Sequence, residues 1–347
     1  MTELFREGGP NRTRRLPDGK FEMNIRIPTD ADGLLGRECP TDECSPAYFK
    51  VKPGTGLTGQ ERAFCPYCRS EAAPKEFTTK GQLKYAHDTV AAEASQGVRR
   101  MLGEALGLDA SGRRRYGGGL VSLEISIDKR PERTVFPPFE DELRRDLTCP
   151  TCTLEHAVFG LATWCPDCGR DIFLAHVDAE IAVVRRMVEA VDSRRRELGA
   201  RVAARDLENA LEDAVSIFEA VMKALLRRYL RGKGSEEEIE KSLRRGASYQ
   251  DPVSAAQGFK IVTGVDLDAM QVAELAAAFS KRHPIAHNLG VVDRRYLERA
   301  RSGELQGREI HVTAGEIEQS LCLVESILRD AHDRLFPDPA DGTSPGR

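Results

Sequence analysis

The stretch ARDLENALEDAVSIFEAVMKALLRRYLR, residues 204–231, has apolar residues at spacings of three and four. Such spacings place the apolar side chains on one stripe of an α-helix. The stripe consists of Leu207, Leu211, Val215, Phe218, Met222, Leu225 and Tyr229. Because an apolar stripe has to be buried against another element, we expect this helix in a helical bundle.

Two later segments, 267–281 and 316–335, show the same period. Their predicted buried residues are Val272, Leu275, Ala276 and Phe279 in the first, and Ile317, Leu321, Val324, Leu328 and Leu335 in the second. Thr313 and Glu316 match the capping box that opens a helix. Together these stripes predict an all-α bundle over residues 178–336.

Composition places the chain among ordinary soluble globular proteins, with 40% hydrophobic and 31% charged residues. A formal net charge of -4 argues against a uniformly basic nucleic-acid binder, so nucleic acid would have to meet a local patch. The N-terminus lacks the apolar core of a signal peptide, and the chain has no long apolar run. These features predict a cytoplasmic protein that does not contact a membrane.

Eight of the nine cysteines fall into four close pairs, a grouping typical of metal sites in a reducing compartment. CPTC (149–152) and CPDC (165–168) enclose twelve residues, and CPTDEC (39–44) is followed by CPYC (65–68). The predicted ligands are Cys39, Cys44, Cys65, Cys68, Cys149, Cys152, Cys165 and Cys168. Two tetrahedral Zn(II) sites with four thiolates each leave no open coordination position, so we expect both to be structural.

Unrelated buried thiols and redox CxxC motifs remain open as alternatives to metal binding by the cysteines. A redox motif is expected once, at a strand-to-helix junction, and not as pairs grouped two by two. We expect the neighbouring histidines to be packing or solvated residues; they are His87, His156 and His176. The ribbons either contact a ligand through the basic residues Arg69, Lys75, Lys80 and Lys84 or only hold together small β units.

The predicted fold class is α+β, with two small β zinc ribbons followed by a helical bundle. Periodicity and turn residues assign ribbon 1 to 21–78, a connecting region of helix (80–106) and strand (117–127) to 79–144, and ribbon 2 to 145–176. The polar segments 1–20 and 337–347 are predicted to be disordered tails.

RHPIAHN, residues 282–288, follows the helical segment 267–281 and places His287 five positions after Arg282. In an unbroken helix five residues turn through about 500°, which leaves these two side chains about 140° apart. Pro284 cannot donate to the carbonyl of Ser280 and is therefore expected to bend the helix. The bend would aim the two side chains at a cleft.

A simple helix end accounts for the same residues without chemistry. In that alternative, His283 and His287 lie near the negative pole of the helix dipole. Asn288 and Gly290 then supply the C-terminal cap.

The helical part of the chain resembles a HEPN domain, a helical-bundle family whose ribonuclease members carry an Arg-x4-6-His motif between later helices. FSKRHPIAHN (279–288) is similar to that motif, and AVSIFEAVMKALLRRYL (214–230) resembles the first core helix of the family. Glu219 and Lys223 stand where the family often has an acidic and a basic residue. The resemblance covers less than half of the chain.

The resemblance implies a metal-independent endoribonuclease whose site forms where two copies of the chain meet, each giving one Arg and one His. RNA and a second copy are therefore the expected partners, and a toxin or phage-defence role is implied. Chemically, Arg282 would hold the phosphate while His287 moves the proton of the 2'-OH or of the leaving 5'-oxygen. Further candidates for the site are His283, as a second proton carrier, and Asn288 and Glu219.

Two hypotheses from different classes remain open. The first is a non-enzymatic zinc-ribbon adaptor that binds nucleic acid or protein through residues 21–176 and dimerises through its helices. The second is a helical partner of a nucleotidyltransferase or helicase, which would make a regulatory protein an additional partner.

Overall fold

A computed structural model describes residues 4–5, 8, 11–108, 113–116, 123–126, 144–244, 249–300 and 304–337. The chain divides into an N-terminal unit, Met1–Ile172, and a C-terminal unit, Phe173–Arg347. Most of the predicted strand 117–127 and nearly all of the predicted tail 337–347 lie outside the described residues. The two units together have the mixed α+β character that the sequence predicts.

The described part of the N-terminal unit contains short strands, all paired antiparallel. They are β1 (Arg14–Arg15), β2 (Phe21–Glu22), β3 (Leu35–Glu38), β4 (Tyr48–Val51), β5 (Ala63–Phe64), β6 (Glu71–Ala72), β7 (Arg113–Tyr116), β8 (Leu123–Ser126), β9 (Arg145–Thr148) and β10 (Glu155–Val158). A 3-10 turn, Pro74–Phe77, precedes helix α1 (Lys80–Ala105).

One four-stranded sheet, in the order β3-β4-β10-β9, joins the two cysteine-rich segments. β3 ends one residue before Cys39, and β9 ends one residue before Cys149. In the register of this sheet Phe49 of β4 lies opposite both Arg37 of β3 and Val158 of β10. The segments predicted as two ribbons therefore contribute strands to a common sheet.

The predicted disorder of residues 1–20 is wrong for the described residues 11–20. β1 and β2 form a hairpin in which the backbone N–H of Leu16 donates to the carbonyl of Lys20 at 2.7 Å. The turn contains Pro17, Asp18 and Gly19, and Gly19 has a φ of 84°. Pro, Asp and Gly in this order favour a tight turn. The polar composition of the segment is typical of disorder, although these three residues indicate a turn.

Helix α1 confirms the predicted helix at 80–106 and begins with a capping box between Thr79 and Gln82. Several of its apolar residues are substantially exposed; they are Leu83, Val90, Val98, Met101 and Leu102. At about 100° per residue these five positions fall within about 120° of one another around the helix axis, so α1 has an apolar face that is largely exposed in the described structure.

The C-terminal unit is helical in its described residues. The helices are α2 (Phe173–Glu189), α3 (Val191–Leu198), α4 (Ala200–Leu230), α5 (Glu236–Arg244), α6 (Pro252–Thr263), α7 (Ala269–Ser280), α8 (Arg282–His287), α9 (Arg294–Ala300) and α10 (Ala314–Leu335). α2 begins at Phe173, inside the range predicted for ribbon 2, and carries the buried His176. The ribbon thus ends a few residues earlier than the sequence predicts.

Helix α4 is the centre of the C-terminal unit and packs against α2, α3 and α10. Its predicted stripe is buried from Leu207 to Leu225, and only Tyr229 at its end is partly exposed. The predicted capping box of Thr313 and Glu316 opens α10, whose predicted residues are buried except the partly buried Leu335. In α7 three of the four predicted residues are buried, while Ala276 is half-buried.

Among the described residues, none of the helices combines the length and the apolar composition that crossing a bilayer requires.

Candidate functional site

The first cysteine cluster gathers four sulfurs from two distant stretches of chain. The Sγ atoms of Cys39 and Cys68 lie 3.6 Å apart, as do those of Cys44 and Cys65. All four sulfurs lie within 4.8 Å of one another. A tetrahedral zinc with Zn–S bonds of about 2.3 Å separates its sulfurs by about 3.8 Å, so this cluster fits such an ion.

The second cluster repeats this geometry. The sulfurs of Cys149 and Cys168 lie 3.8 Å apart, and those of Cys152 and Cys165 lie 3.5 Å apart. The four ligand atoms again fall within 4.8 Å of one another. Donor type and spacing together make both clusters candidate tetrahedral metal sites, and zinc suits four thiolates.

Three tight turns shape the Cys-x2-Cys pairs. In each turn the residue after the second cysteine has a positive φ and donates its N–H to the carbonyl of the first cysteine. These residues are Arg69, Thr153 and Gly169. The turn also lets backbone N–H groups point at sulfur, as Ser70 does towards Cys68 at 3.4 Å. Such N–H groups stabilise thiolates, which metal binding requires.

The thiols of each cluster differ in acidity. A hydrogen bond from Cys165 lowers the pKa of Cys168 to about 5. Burial raises the pKa of Cys152, and likewise that of Cys44, to about 12. A metal ion would therefore meet one ready thiolate in the second cluster and displace protons from the other thiols.

The neighbouring histidines are not part of either cluster. His156 is buried, and its Nδ1 lies 3.2 Å from the carbonyl oxygen of Leu154. His176 is buried in α2, whereas His87 is exposed on α1. Each cluster has four cysteine ligands and no open position, which is the arrangement of a structural site.

The basic residues that follow the first cluster do not form one continuous patch. Lys75, Lys80 and Lys84 are exposed. Arg69 instead places its guanidinium over the indole ring of Trp164, with 4.7 Å between the guanidinium carbon and the ring centroid. This cation–π contact links the second knuckle of one cluster to the residue that precedes Cys165 of the other.

The RHPIAHN motif forms its own short helix. α7 ends at Ser280, Lys281 separates the two helices, and α8 begins at Arg282. The helix is thus interrupted as predicted, at Lys281, three residues before Pro284. Pro284 has no N–H, so the carbonyl of Ser280 lacks its helical donor, and the interruption falls at this point. Pro284 itself is buried in the first turn of α8, where a proline is tolerated.

Arg282 is held by α4 and by Gln250, two positions before α6. Its Nε donates to Glu212 Oε2 at 2.5 Å, and its Nη1 donates to Gln250 Oε1 at 2.6 Å. The side chain of Arg282 keeps 28% of its surface exposed. One edge of the guanidinium is thus fixed while part of it remains accessible to an anion.

Glu219 belongs to the same network. Burial acts to raise its pKa, but hydrogen bonds from Lys223 and Gln250 and the nearby charge of Arg282 lower the pKa below its ordinary value. The Nζ of Lys223 lies 2.5 Å from Glu219 Oε1. Glu219 is therefore an anion that helps to orient the groups around Arg282.

The imidazoles of α8 form a second group. The ring centroids of His283 and His287 lie 5.2 Å apart, and His287 is exposed. Asp293 faces both His283, at 3.7 Å from Nε2 to Oδ2, and Asn288, whose Nδ2 donates to the same oxygen at 2.6 Å. A backbone hydrogen bond from Tyr296 and the amide of Asn288 lower the pKa of Asp293.

The predicted site residues therefore fall into two groups within one chain. Arg282 and Glu219 share Gln250, whereas His283 and Asn288 lie against Asp293 and His287 adjoins His283. Asn288 is also the C-cap of α8, and Gly290 follows with a φ of 84°, as a helix end requires.

Three residues of this site were not predicted, namely Glu212, Gln250 and Asp293. Asp293 lies just before α9 and accepts from the backbone N–H of Tyr296, so the helix-start preference of Asp was a usable signal. Glu212 and Gln250 gave no such signal, because their roles depend on contacts between residues far apart in the chain.

A cavity of about 710 Å³ lies beside the imidazole of His283. Six of its lining residues are Gln250, Asp251, Phe279, Ser280, His283 and Tyr296. Gln250 places it next to Arg282 as well, since the two side chains are hydrogen-bonded. Its volume is in the range that small-molecule or nucleotide-sized ligands occupy.

Comparisons of the chain with protein-family models, with curated proteins and with solved structures found no match.

Proposed function

We propose that this protein is a metal-independent endoribonuclease in which His287 and Arg282 act on the ribose-phosphate linkage. The observation that carries the proposal is the surface of α8, where an exposed imidazole adjoins a second imidazole at 5.2 Å and follows a partly exposed guanidinium. Histidine is the side chain whose charge changes most readily near neutral pH, so it is suited to accept or give a proton there.

The roles follow from the charges around each group. His287 takes the proton of the 2'-OH or returns one to the leaving 5'-oxygen. Asp293 orients His283, which serves as the second proton carrier. Arg282, fixed by Glu212 and Gln250, presents its remaining N–H groups to the phosphate and stabilises the charge that grows in the transition state.

The proposal includes a second copy of the chain. Within one α8 the two side chains point about 140° apart, and their contacts diverge accordingly towards Glu212 and towards His283. One phosphate cannot readily reach both from a single copy. Two copies related by a two-fold axis bring the arginine of one next to the histidine of the other.

In this proposal the cysteine clusters hold zinc and do not take part in cleavage. The N-terminal unit has short strands and little helical core, so metal would stabilise the part of the protein that meets the RNA. A ribonuclease of this design would suit a toxin or phage-defence effector, in which cleavage of cellular RNA stops growth.

Cleavage of end-labelled RNA by the zinc-loaded protein, in a buffer without Mg²⁺ or other added divalent cations, tests the proposal. We expect His287→Ala to cut about 10²-fold to 10⁴-fold more slowly than wild type, which is the usual contribution of a proton-transfer group. The products should carry a 2',3'-cyclic phosphate and a 5'-hydroxyl, and the all-DNA strand should stay intact.

His311→Ala is the matched control, because His311 is an exposed histidine of the same unit without a place in the site. It should cleave as fast as wild type. Equal rates for wild type and His287→Ala, or no cleavage of any RNA by the wild type, would overturn the proposal.

A second candidate function is a non-enzymatic adaptor that binds nucleic acid or protein. The ion pair between Arg282 and Glu212 favours it, since an arginine neutralised by a carboxylate also serves as a packing contact. In that case Arg282→Ala would lower the free energy of unfolding, and the full-length protein would bind RNA without cutting it.

A further inference from the structure

A cavity of about 180 Å³ opens against the sheet of the N-terminal unit. Its walls are mainly apolar and include Phe49, Phe77, Pro74, Leu154 and Pro166. The rings of Phe49 and Phe77 meet edge to face at 5.9 Å, and both side chains are fully buried. The cavity is thus a rigid slot of the size of one small ring system, smaller than usual drug-sized pockets.

Two polar side chains in this cavity lack partners within the described part of the chain. Arg37 lies opposite Phe49 in the sheet and has no hydrogen bond or ion pair, and burial lowers the pKa of its guanidinium. The Nε2 of Gln60 is buried and also lacks an acceptor. A buried donor without an acceptor, such as Nε2 of Gln60, costs free energy. A ligand that supplies acceptors to it and to the half-buried Arg37 would remove that penalty.

The opposite rim of the cavity is fixed in place. Asp167 accepts a hydrogen bond from the N–H of Leu57 at 2.6 Å. A Cβ atom on Gly56 would lie 2.2 Å from the same carboxylate, so only glycine allows this approach. Thr55 accepts from the N–H of Glu155 at 3.0 Å, which ties the loop to the sheet. The cavity is therefore preorganised before any ligand arrives.

We propose that this cavity binds the guanine base of single-stranded RNA. Its donors, Arg37 and Gln60, match the two acceptors O6 and N7 of guanine, and arginine makes its commonest base-specific contact with this pair. The free oxygen of Asp167 matches the N–H donors on the other edge of the ring. The apolar walls cover the faces of the ring, as aromatic and proline side chains do with unstacked bases.

The same groups disfavour other ligands. Two cations line the cavity, but Lys52 is paired with Glu155 at 2.5 Å, so an isolated phosphate or carboxylate would meet Arg37 together with the negative charge of Asp167. The apolar part of the lining offers such an ion no further partner. Adenine has an amino donor where guanine has O6, so it would face the guanidinium of Arg37 with the wrong group. Pyrimidines have no N7 acceptor and would leave one donor unsatisfied.

This inference rests on the proposed function, because it names the feature of the RNA that the N-terminal unit recognises. It is tested by binding and not by cleavage, so that the two can fail separately. The full-length zinc-loaded protein carries His287→Ala to keep the RNA intact. The probes are a uridine oligonucleotide with one central guanosine, the same oligonucleotide with adenosine, guanosine monophosphate, and inorganic phosphate.

We expect the guanosine oligonucleotide to bind about tenfold more tightly than the adenosine one, within the usual discrimination by a bidentate arginine contact. Arg37→Met should remove this preference. The matched control, Arg62→Met, alters an exposed arginine of the same unit that pairs with Glu71, and should keep it.

The melting temperature gives a second readout. Because Arg37 is unpaired, Arg37→Met should melt at the same or a higher temperature than the unchanged protein, whereas loss of a structural contact would lower it. Gln60→Leu should also weaken binding of the guanosine oligonucleotide. This second variant keeps the inference testable if Arg37→Met does not fold.

Four results would overturn the inference. They are equal binding of the guanosine and adenosine oligonucleotides, a preference that survives Arg37→Met, binding of inorganic phosphate alone, and guanosine monophosphate binding as tightly as the oligonucleotide. The last of these results would show that the ligand is a free guanine nucleotide and not RNA. Absence of RNA cleavage by the zinc-loaded wild type, with the guanine preference intact, would instead contradict only the proposed function.

Discussion

The pKa of Glu219 depends on the charged and polar groups around the candidate site. Burial alone would raise its pKa, yet Lys223, Gln250 and Arg282 lower it. A carboxyl group whose pKa falls on folding stabilises the protein above its unfolded pKa of about 4.3. That stabilisation disappears as the pH falls through the lower, folded pKa.

We therefore predict that Glu219→Gln lowers the free energy of unfolding at pH 7 and that the difference from wild type disappears in acid. Urea unfolding at pH 7 and at a pH below the lowered, folded pKa of Glu219 measures both. Glu237→Gln, at an exposed glutamate of α5, should match wild type at both pH values. A deficit of equal size at both pH values would assign the role of Glu219 to shape and not to charge.

Among individual residues, the sequence predicted those whose role depends on their spacing along the chain. The eight cysteines were found because metal ligands come in close pairs, and both clusters have the expected geometry. Arg282 and Glu219 lie in one network, as a shared site requires, but the groups that join them were hidden. Gln250 and Glu212 reach Arg282 only through the packing of α4 and the start of α6, which no local pattern encodes.

At the scale of elements, α10 shows how a local signal fixes a helix start. The hydroxyl of Thr313 accepts from the backbone N–H of Glu316, and the carboxylate of Glu316 accepts from the backbone N–H of Thr313 at 2.9 Å. These two hydrogen bonds satisfy donors that have no partner inside the helix. The whole pattern is visible in four residues of sequence, so it was predictable.

We predict that Thr313→Ala lowers the free energy of unfolding by about 1 kcal/mol, the usual value of an N-cap. Thr313→Ser keeps the accepting hydroxyl and should lose little. Chemical denaturation of the three proteins provides the measurement. Equal losses for Ala and Ser would trace the effect to the methyl group of Thr313, contrary to the capping role.

Elements that depend on contacts between distant parts of the chain were not predicted from the sequence. The stripe of α4 repeats every turn and needs no distant partner to be recognised. The sheet, in contrast, pairs β4 with β10 across about a hundred residues, with Phe49 opposite Val158. Short strands without strong alternation do not specify such a register, so one shared sheet was not foreseen.

At the scale of the molecule, the two units differ in what can stabilise them. The C-terminal unit has a continuous apolar core that runs through α2, α4, α7 and α10. The N-terminal unit has short strands, and its two cysteine clusters sit at the ends of those strands. A metal ion in each cluster would add stability that short strands supply only weakly by themselves.

We predict that the purified protein contains two zinc ions per chain, one for each cluster. Elemental analysis should find one ion fewer in Cys165→Ser and the full number in Cys322→Ser, since Cys322 is exposed and outside both clusters. A strong chelator should lower the melting temperature of wild type. Unchanged metal content in Cys165→Ser would contradict the assignment of the second cluster.

The most direct test of the central claim is to mix two inactive variants, Arg282→Ala and His287→Ala, and to measure RNA cleavage after their chains have exchanged. A site shared between two copies predicts that each variant alone is nearly inactive. In the mixed dimer one site keeps both an intact arginine and an intact histidine, so the mixture should regain part of the wild-type rate. No recovery in a mixture shown to contain mixed dimers, or a wild-type protein that cleaves RNA as a monomer, would contradict the account.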